Sequence, residues 1–175
     1  MKKYLFLALA ILAFVACEPT KNKQMKRIST LEKEILVDAK AISTSKADSL
    51  LEMYNTYVAE FPKDSNSAII LFKAADVCAN VKYCDKAIVY LERLVGDFPE
   101  HYLVEAAYFR MAQVYEQCQD KEKAKEYYKY FMEKYPKSRL ATDAAVMLQM
   151  MDMPNEMDMI REFEQKNSQT NTTEK

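Results

Sequence analysis

The sequence predicts an all-α fold built from helical hairpins that repeat along the chain. The 175 residues include one glycine and five prolines, too few for the many tight turns of a β fold. Ala, Leu, Lys, Glu and Met, which are all good helix formers, dominate the composition. An aromatic residue followed by proline occurs three times at an even spacing of 37 residues, at Phe61-Pro62, Phe98-Pro99 and Tyr135-Pro136.

The first 16 residues are predicted to be a secretory signal. Lys2 and Lys3 precede an apolar run that is too short to cross a bilayer comfortably and that ends at Cys17. This ending resembles a bacterial lipoprotein signal, in which the cysteine receives acyl chains such as palmitate and becomes the new N-terminus. Ordinary secretion, with Cys17 as a plain thiol, is the alternative. Because Glu18 stands where aspartate would mark inner-membrane retention, we expect an outer-membrane lipoprotein of the cell envelope that faces the periplasm.

The mature chain is expected to contain one folded domain. Residues 17–27, with lipidated Cys17, form the predicted polar tether, residues 28–164 the predicted repeat domain, and residues 165–175 a polar, disordered tail. Loss of the two signal lysines changes the formal net charge from −1 to −3. No basic stripe crosses the domain, so nucleic acid is not an expected partner.

Each 37-residue unit is predicted to form two helices, because its apolar residues recur at spacings of three and four. The first helices carry stripes at equivalent positions, Leu71, Ala74, Ala75 and Cys78 in one unit and Tyr108, Met111, Ala112 and Tyr115 in the next. The second helices carry Ala87, Tyr90, Leu91 and Leu94, and then Ala124, Tyr127, Tyr128 and Phe131. Asp85 and Asp120 are the expected N-caps of the second helices.

This pattern resembles the tetratricopeptide repeat, in which small residues mark the close approach of paired helices and a proline closes the unit. The small residues here are Ala75, Ala87, Ala112 and Ala124. The long period and the lipid signal are similar to those of bacterial envelope lipoproteins, among them the barrel-assembly lipoprotein of the outer membrane and the periplasmic coordinator linked to the Tol-Pal system. The resemblance implies a solenoid, or α-α superhelix, whose first helices line a concave surface that binds proteins or peptides.

The resemblance also places a set of residues on that concave surface: Ile69, Phe72, Asp76, Asn80, Ala106, Phe109, Gln113, Glu116, Gln117 and Met150. Phe72 and Phe109 lie off the stripe that pairs the helices of a hairpin. Aromatic side chains on a concave wall would anchor an apolar partner segment, and packing between neighbouring repeats is the alternative. We therefore expect an interaction adaptor for a protein or peptide partner, with a role in envelope or outer-membrane assembly.

Nothing in the sequence indicates catalysis. The single histidine, His101, lies just after Pro99, where we expect a solvated loop residue, and one glycine cannot build a phosphate-binding loop. We therefore expect neither an enzyme nor a cofactor, and we assign no catalytic or metal-binding residue.

A methionine-rich C-terminal segment favours a second hypothesis, a metal- or small-molecule-binding envelope protein. Its members are Met147, Met150, Met151, Met153, Met157 and Met159. Thioether sulfurs suit Cu(I), but methionine is also an adaptable core filler.

Three cysteines remain after Cys17, and no two of them have the C-x-x-C spacing of a redox pair or zinc site. Cys78 lies on a core stripe and is expected to act as a small hydrophobe. Cys84 and Cys118 fall at the same end of stacked hairpins, so a Cys84–Cys118 disulfide is compatible with an oxidising compartment. Free thiols are the alternative.

Overall fold

The computed structural model describes residues 19–37, 42–153, 159–161 and 163–165. The predicted signal, Cys17 and nearly all of the predicted tail lie outside the described residues. Seven helices fill most of the described ranges: α1 (Pro19–Val37), α2 (Thr44–Glu60), α3 (Ser65–Asn80), α4 (Cys84–Asp97), α5 (Val104–Gln117), α6 (Lys121–Lys134) and α7 (Arg139–Asp152). No strand occurs within these ranges, and the prediction of an all-α fold is confirmed.

The chain falls into two compact units, residues 1–107 and residues 108–175, which divide inside α5. In the first unit α2 packs against α1 and α3, and α3 packs against α4. The largest fully buried side chains of that unit include Tyr54, Tyr57, Ile70, Leu71, Leu91 and Leu94. In the second unit α6 packs against α7, and the buried cluster consists of Phe109, Ala112, Ala124, Tyr128, Phe131 and Ala144.

Alanines are buried at the positions where the sequence predicted close helix contacts. Ala75 and Ala87 in the first unit are fully buried, and so are Ala112 and Ala124 in the second. A larger side chain at any of these positions would overpack the contact. The prediction of hairpins that recur with a 37-residue period is therefore confirmed.

Each second helix ends in the same way, at the aromatic residue before a proline. Phe61, Phe98 and Tyr135 have φ angles of −126°, −134° and −127° and ψ angles of 57°, 56° and 56°. Their N–H groups donate to the carbonyls four residues earlier, at 2.9, 3.0 and 2.8 Å. Because proline has no N–H and disfavours helical geometry in the residue before it, each helix stops there, as predicted.

A side chain that accepts a backbone N–H follows three residues after each of these aromatic residues, and two of the three, Asp64 and Ser138, are N-caps. Asp64, His101 and Ser138 each accept a hydrogen bond from the backbone N–H two residues further on. The donors are Asn66, Leu103 and Leu140, at 3.1, 3.2 and 3.1 Å. His101 lies in the loop before α5, as expected, but it is half-buried: its Nδ1 accepts the Leu103 N–H in the turn just before Val104, and its Nε2 lies 3.1 Å from Ser65 Oγ.

The turns inside the two hairpins also repeat. Lys82 and Gln119 occupy equivalent positions and have positive φ angles of 63° and 64°. The N–H of the next residue reaches back five positions, from Tyr83 to the Cys78 carbonyl at 2.8 Å and from Asp120 to the Tyr115 carbonyl at 3.0 Å. This is the Schellman arrangement, in which glycine usually occupies the left-handed position.

The predicted caps of the second helices have different outcomes. Asp120 caps α6, because its Oδ1 accepts a hydrogen bond from the Lys123 N–H at 3.2 Å. Asp85 does not cap α4. Tyr83 occupies the cap position without a side-chain hydrogen bond, and Asp85 lies in the first turn, where its charge still favours the positive end of the helix dipole.

The predicted N-terminal tether, residues 17–27, is also corrected, because α1 already begins at Pro19 and includes most of these residues. The Gln24 amide donates to Glu60 at 2.7 Å, Lys21 forms an ion pair with Asp64, and Ile28 is buried. Polar side chains supply much of this packing, so the segment shows little apolar periodicity.

Candidate partner-binding surface

The first unit has a cavity on the side of its first helices, α1 and α3. The cavity has a volume of about 290 Å³. Its lining residues are Glu32, Ile35, Ile42, Leu50, Tyr54, Lys73, Asp76, Val77 and Asn80. Two residues of the predicted surface, Asp76 and Asn80, are therefore brought together around one cavity.

A hydrogen-bonded triad crosses this cavity from one first helix to the other. Glu32 Oε1 accepts a hydrogen bond from the Tyr54 hydroxyl at 2.6 Å, and the Lys73 ammonium lies 2.9 Å from both Glu32 oxygens. Burial, followed by the hydrogen bond to Glu32 and the charges of Glu32 and Asp76, raises the pKa of Tyr54 far above its usual range. Tyr54 is therefore a neutral donor, and Glu32 neutralises Lys73.

The arrangement suits binding rather than proton transfer. The triad is internally satisfied, and the side chains of Ile35, Ile42 and Val77 give the cavity an apolar wall. Asp76 and Asn80 add a carboxylate and an amide along the same lining. An apolar wall with a few directed polar groups is typical of a site that holds a side chain of a partner segment.

The other predicted residues of the first unit do not line this cavity. Ile69, Phe72 and Ala106 are half-buried. Phe72 thus stays partly exposed on α3, the helix that also carries Lys73, Asp76 and Asn80.

Phe109 is a correction within the predicted surface. It is 8% exposed, and its ring packs edge-on against Tyr128 and Phe131, with centroid distances of 5.7 and 5.3 Å. The ring therefore belongs to the core of the second unit and is not exposed enough to anchor a partner. The reason is that α6 carries two aromatic residues in the same unit, and Phe109 packs against both of their rings.

The remaining predicted residues of the second unit are polar or exposed. Glu116 accepts a hydrogen bond from the buried Tyr128 hydroxyl at 2.8 Å, and Gln113 accepts one from Arg110 at 3.3 Å. Burial and the hydrogen bond to Glu116 raise the pKa of Tyr128 well above its usual range. Gln117 and Met150 are exposed, the latter by 62%.

Tyrosine–glutamate pairs link a second helix to a first helix in both units. Tyr54 and Tyr128 lie two repeat periods apart, and Leu91 occupies the equivalent position between them. Ala79, the equivalent of Glu116, is buried like Leu91, so both members of the pair are apolar in that repeat. Replacing both partners together avoids an unsatisfied buried hydroxyl. Sequence reasoning missed Glu32, Tyr54 and Lys73, although the spacing of the tyrosines was visible.

A larger depression of about 660 Å³ lies between the second helices α2 and α4 of the first unit. It contains acidic and basic residues together, and the Tyr90 hydroxyl donates to Asn55 across it at 2.9 Å. Its size exceeds that of the first-helix cavity. We place the candidate site on the first helices because there the apolar wall and the directed polar groups occur together.

Some methionines of the C-terminal segment pack against the core of the second unit, and others are exposed to solvent. Met147 and Met151 are half-buried and lie against the core cluster of the second unit, whereas Met153 is 65% exposed. Met157 lies outside the described residues. Within the part of the chain that the structure describes, no group of three His, Cys, Asp or Glu side chains is arranged to hold a metal ion.

The three described cysteines differ in their chemical state. Cys78 is a free, buried cysteine, and burial raises its pKa to about 11. Cys84 and Cys118 are each disulfide-bonded. Among the described helices, none has the length and apolar character needed to cross a membrane.

Comparison with known proteins identifies the repeat. A family model described as tetratricopeptide repeat matches residues 106–138. Among solved structures, the chain is similar to the crystal structure of a variant of a Podosopora anserina putative kinesin light chain with nearly identical TPR-like repeats. The identity is 15%, the match covers 85% of this chain and 90% of that chain, and the TM-score is 0.47. None of the curated proteins matches the sequence. Residues 106–138 thus match the tetratricopeptide repeat, in a chain whose described part is an all-α array of helical hairpins.

Proposed function

We propose that this protein is a lipid-anchored adaptor of the bacterial cell envelope that binds a protein or peptide partner through its first helices. Tetratricopeptide repeats generally mediate protein–protein interaction, and their fold is typically a non-catalytic scaffold. The lipid anchor at Cys17, the outer-membrane location and the periplasmic orientation are parts of the proposal that rest on the sequence of the signal.

The first-helix cavity is the observation that carries the binding proposal. Its apolar wall can take an apolar side chain of the partner, and Asp76 and Asn80 can bond to the partner's backbone. Lys73 and Glu32 already satisfy each other at 2.9 Å, so the triad stiffens the cavity and leaves recognition to its neighbours. An extended partner segment fits these features.

Site-specific photocrosslinking in cells tests this placement. A photoreactive amino acid at Asn80 should give crosslinked adducts that mass spectrometry assigns to one or a few partners. The matched control is Val89 in α4, which is 52% exposed but lies on a second helix. Asp76→Arg should abolish the Asn80 adduct, whereas Glu92→Arg on the second helix should not. Equal adducts from Asn80 and Val89 would contradict the proposal.

The anchor has a separate test. Metabolic labelling with radioactive palmitate should mark the wild-type protein, and Cys17→Ser should remove the label. A wild-type protein without label would show that Cys17 is a plain thiol, and it would leave the binding surface unaffected.

A further inference from the structure

The exposed side of α1 carries a cluster of cations that we call the basic face: Lys23, Lys26 and Arg27. All three side chains are exposed. No acidic residue occurs from Pro19 to Leu31. Within the described ranges, none of the three side chains forms an ion pair or a hydrogen bond. The basic face is therefore a concentration of unneutralised charge in a chain that is acidic as a whole.

The basic face surrounds a shallow depression with an aliphatic base. This depression has a volume of about 460 Å³ and is lined by the three cations together with Thr30, Leu31, Glu34 and Met53. Three positive groups against one carboxylate give it a net positive charge. The combination of a cationic rim and aliphatic side chains suits a ligand that has an anionic group next to an apolar part.

The basic face differs from the neighbouring Lys21 in having no counter-charge. Lys21, in the first turn of α1, forms an ion pair with Asp64, whereas Lys23, Lys26 and Arg27 have no such partner within the described residues. An external anion would supply one.

We infer that the basic face docks on the anionic phospholipid headgroups of the membrane that carries the lipid anchor. This inference rests on the anchor proposed above. Pro19 follows Cys17 by two residues, so their Cα atoms lie no more than about 7 Å apart. The eight helical steps from Pro19 to Arg27 add about 12 Å along the helix. The basic face thus stays within reach of the headgroups, which attract Lys and Arg near the surface.

Lysine footprinting on vesicles tests the inference. The full chain is reconstituted into vesicles of phosphatidylcholine alone, or of phosphatidylcholine with about 30% phosphatidylglycerol, and is acetylated briefly at low ionic strength. Mass spectrometry then measures acetylation at Lys23 and Lys26 against Lys137, an exposed lysine elsewhere. We expect acetylation of Lys23 and Lys26 to fall at least threefold on the anionic vesicles, and that of Lys137 to stay unchanged. Added salt should reverse the protection.

Charge-reversal variants make the test specific. Lys23→Glu/Lys26→Glu/Arg27→Glu should remove the difference between the vesicles, as reported by the neighbouring Lys33. The matched control, Lys121→Glu/Lys129→Glu/Arg139→Glu, reverses three exposed cations elsewhere, changes the net charge equally, leaves the reference Lys137 in place and should keep the difference at Lys23 and Lys26. Circular dichroism confirms that both variants fold. Equal acetylation on both vesicle types in the wild-type protein would overturn the inference.

The same samples separate this inference from the anchor proposal. Flotation with neutral vesicles reports the lipid anchor, because the basic face has no attraction to them. Flotation with both vesicle types but without lysine protection would refute the basic face alone. Flotation and protection on anionic vesicles only would refute the anchor and retain the basic face.

Discussion

Gly96 lies inside α4, one residue before its end, and it is exposed. A Cβ atom built on it would meet nothing within 4 Å. The left-handed positions that favour glycine are instead occupied by Lys82 and Gln119. The chain therefore has its only glycine where a helix former would serve better, and it has side chains where glycine would relieve strain.

Substitution of these residues should raise stability. We expect Gly96→Ala to increase the free energy of unfolding by about 0.5–1 kcal/mol, because alanine loses less conformational entropy in a helix. Gln119→Gly should also stabilise, since glycine adopts the left-handed region without the Cβ penalty. Urea unfolding followed by circular dichroism measures both. Gly96→Ser is the control, because serine forms helix less well and should gain less. A lower unfolding midpoint for Gly96→Ala would contradict the helical assignment.

His101 lies at the repeat position that Asp64 and Ser138 occupy, but it carries neither a carboxylate nor a hydroxyl. Its Nδ1 accepts the Leu103 N–H, so that nitrogen carries no proton and Nε2–H is free to donate to Ser65. We expect His101→Asp to raise the melting temperature, with a gain of about 0.5–1 kcal/mol, because a carboxylate at the helix start also favours the dipole. His101→Ala should lower it. An alanine variant as stable as the wild type would show that the imidazole does not stabilise the turn before α5.

At the scale of helices, Phe72 and Phe109 show that an amphipathic pattern does not decide whether an off-stripe aromatic residue is exposed or buried. Both lie at the same repeat position and both were expected on the binding surface. Phe109 packs on Tyr128 and Phe131 of α6. At the equivalent positions of α4, the first unit has Leu91 and Leu94, so Phe72 has no aromatic pair to pack on and is half-buried.

Alanine substitution should separate the two positions. We expect Phe109→Ala to cost about 3–5 kcal/mol of unfolding free energy, as for other buried phenylalanines. Phe72→Ala should cost clearly less, because its ring is already part exposed. Urea unfolding measures both, and the Asn80 photocrosslink then reports whether the folded Phe72 variant still binds. A small loss for Phe109→Ala would contradict its place in the core.

The joint between α2 and α3 depends on one carboxylate. Burial opposes ionisation of Asp64, but the Lys21 ammonium, the Asn66 N–H and the Tyr57 hydroxyl together outweigh it, and the pKa of Asp64 is lowered. The same contact, after burial, raises the pKa of Tyr57 to about 12. Asp64 thus caps α3, receives the Tyr57 hydroxyl at 2.8 Å and pairs with α1.

Acidification should therefore weaken this joint. Because the pKa of Asp64 is lowered in the folded state, its contribution is present above the ordinary pKa of 3.8 and is lost as the pH falls through the folded value. We expect Asp64→Asn to lower stability at pH 6 and to flatten its fall between pH 5 and 3, since asparagine can still cap. The control is Asp152→Asn, which removes an exposed carboxylate whose pKa is also lowered, by Lys125; its effect should be smaller. An unchanged pH slope in Asp64→Asn would refute this role.

For the molecule as a whole, the sequence predicted the hairpins well because short-range chemistry encodes them. Proline ends each second helix by its own covalent structure, and the buried alanines recur with the period. The sequence predicted the repeat domain only from residue 28 and did not predict that α1 begins at Pro19, since that first part is held by Gln24 with Glu60 and by Lys21 with Asp64, pairs that lie 36 or more residues apart. The cavity triad was missed for the same reason. Glu32 and Lys73 lie on different helices, and no local sequence pattern predicts that their side chains are in contact.

The cysteines give a whole-molecule prediction. The pKa of the buried Cys78 thiol is raised, so at neutral pH only a small fraction of it is the reactive thiolate. Cys84 and Cys118 are disulfide-bonded. We expect the native mature protein to show no fast-reacting thiol, the unfolded unreduced protein one, and the unfolded reduced protein three, with Cys17 blocked by lipid. Maleimide labelling and mass spectrometry provide the count. One additional thiol at each stage would mean that Cys17 is free, and three in the unreduced unfolded protein would contradict the disulfide bonds.

The joints at Phe61, Phe98 and Tyr135 have nearly the same backbone angles, and three residues after each one a side chain accepts the backbone N–H two residues further on. If a copy of residues 65–101 were inserted at any one of these joints, the chain entering and leaving the copy would have the backbone geometry that residues 65–101 have now. Duplication or loss of one 37-residue segment in the gene would therefore lengthen or shorten the protein by one repeat and would need no new type of connecting loop.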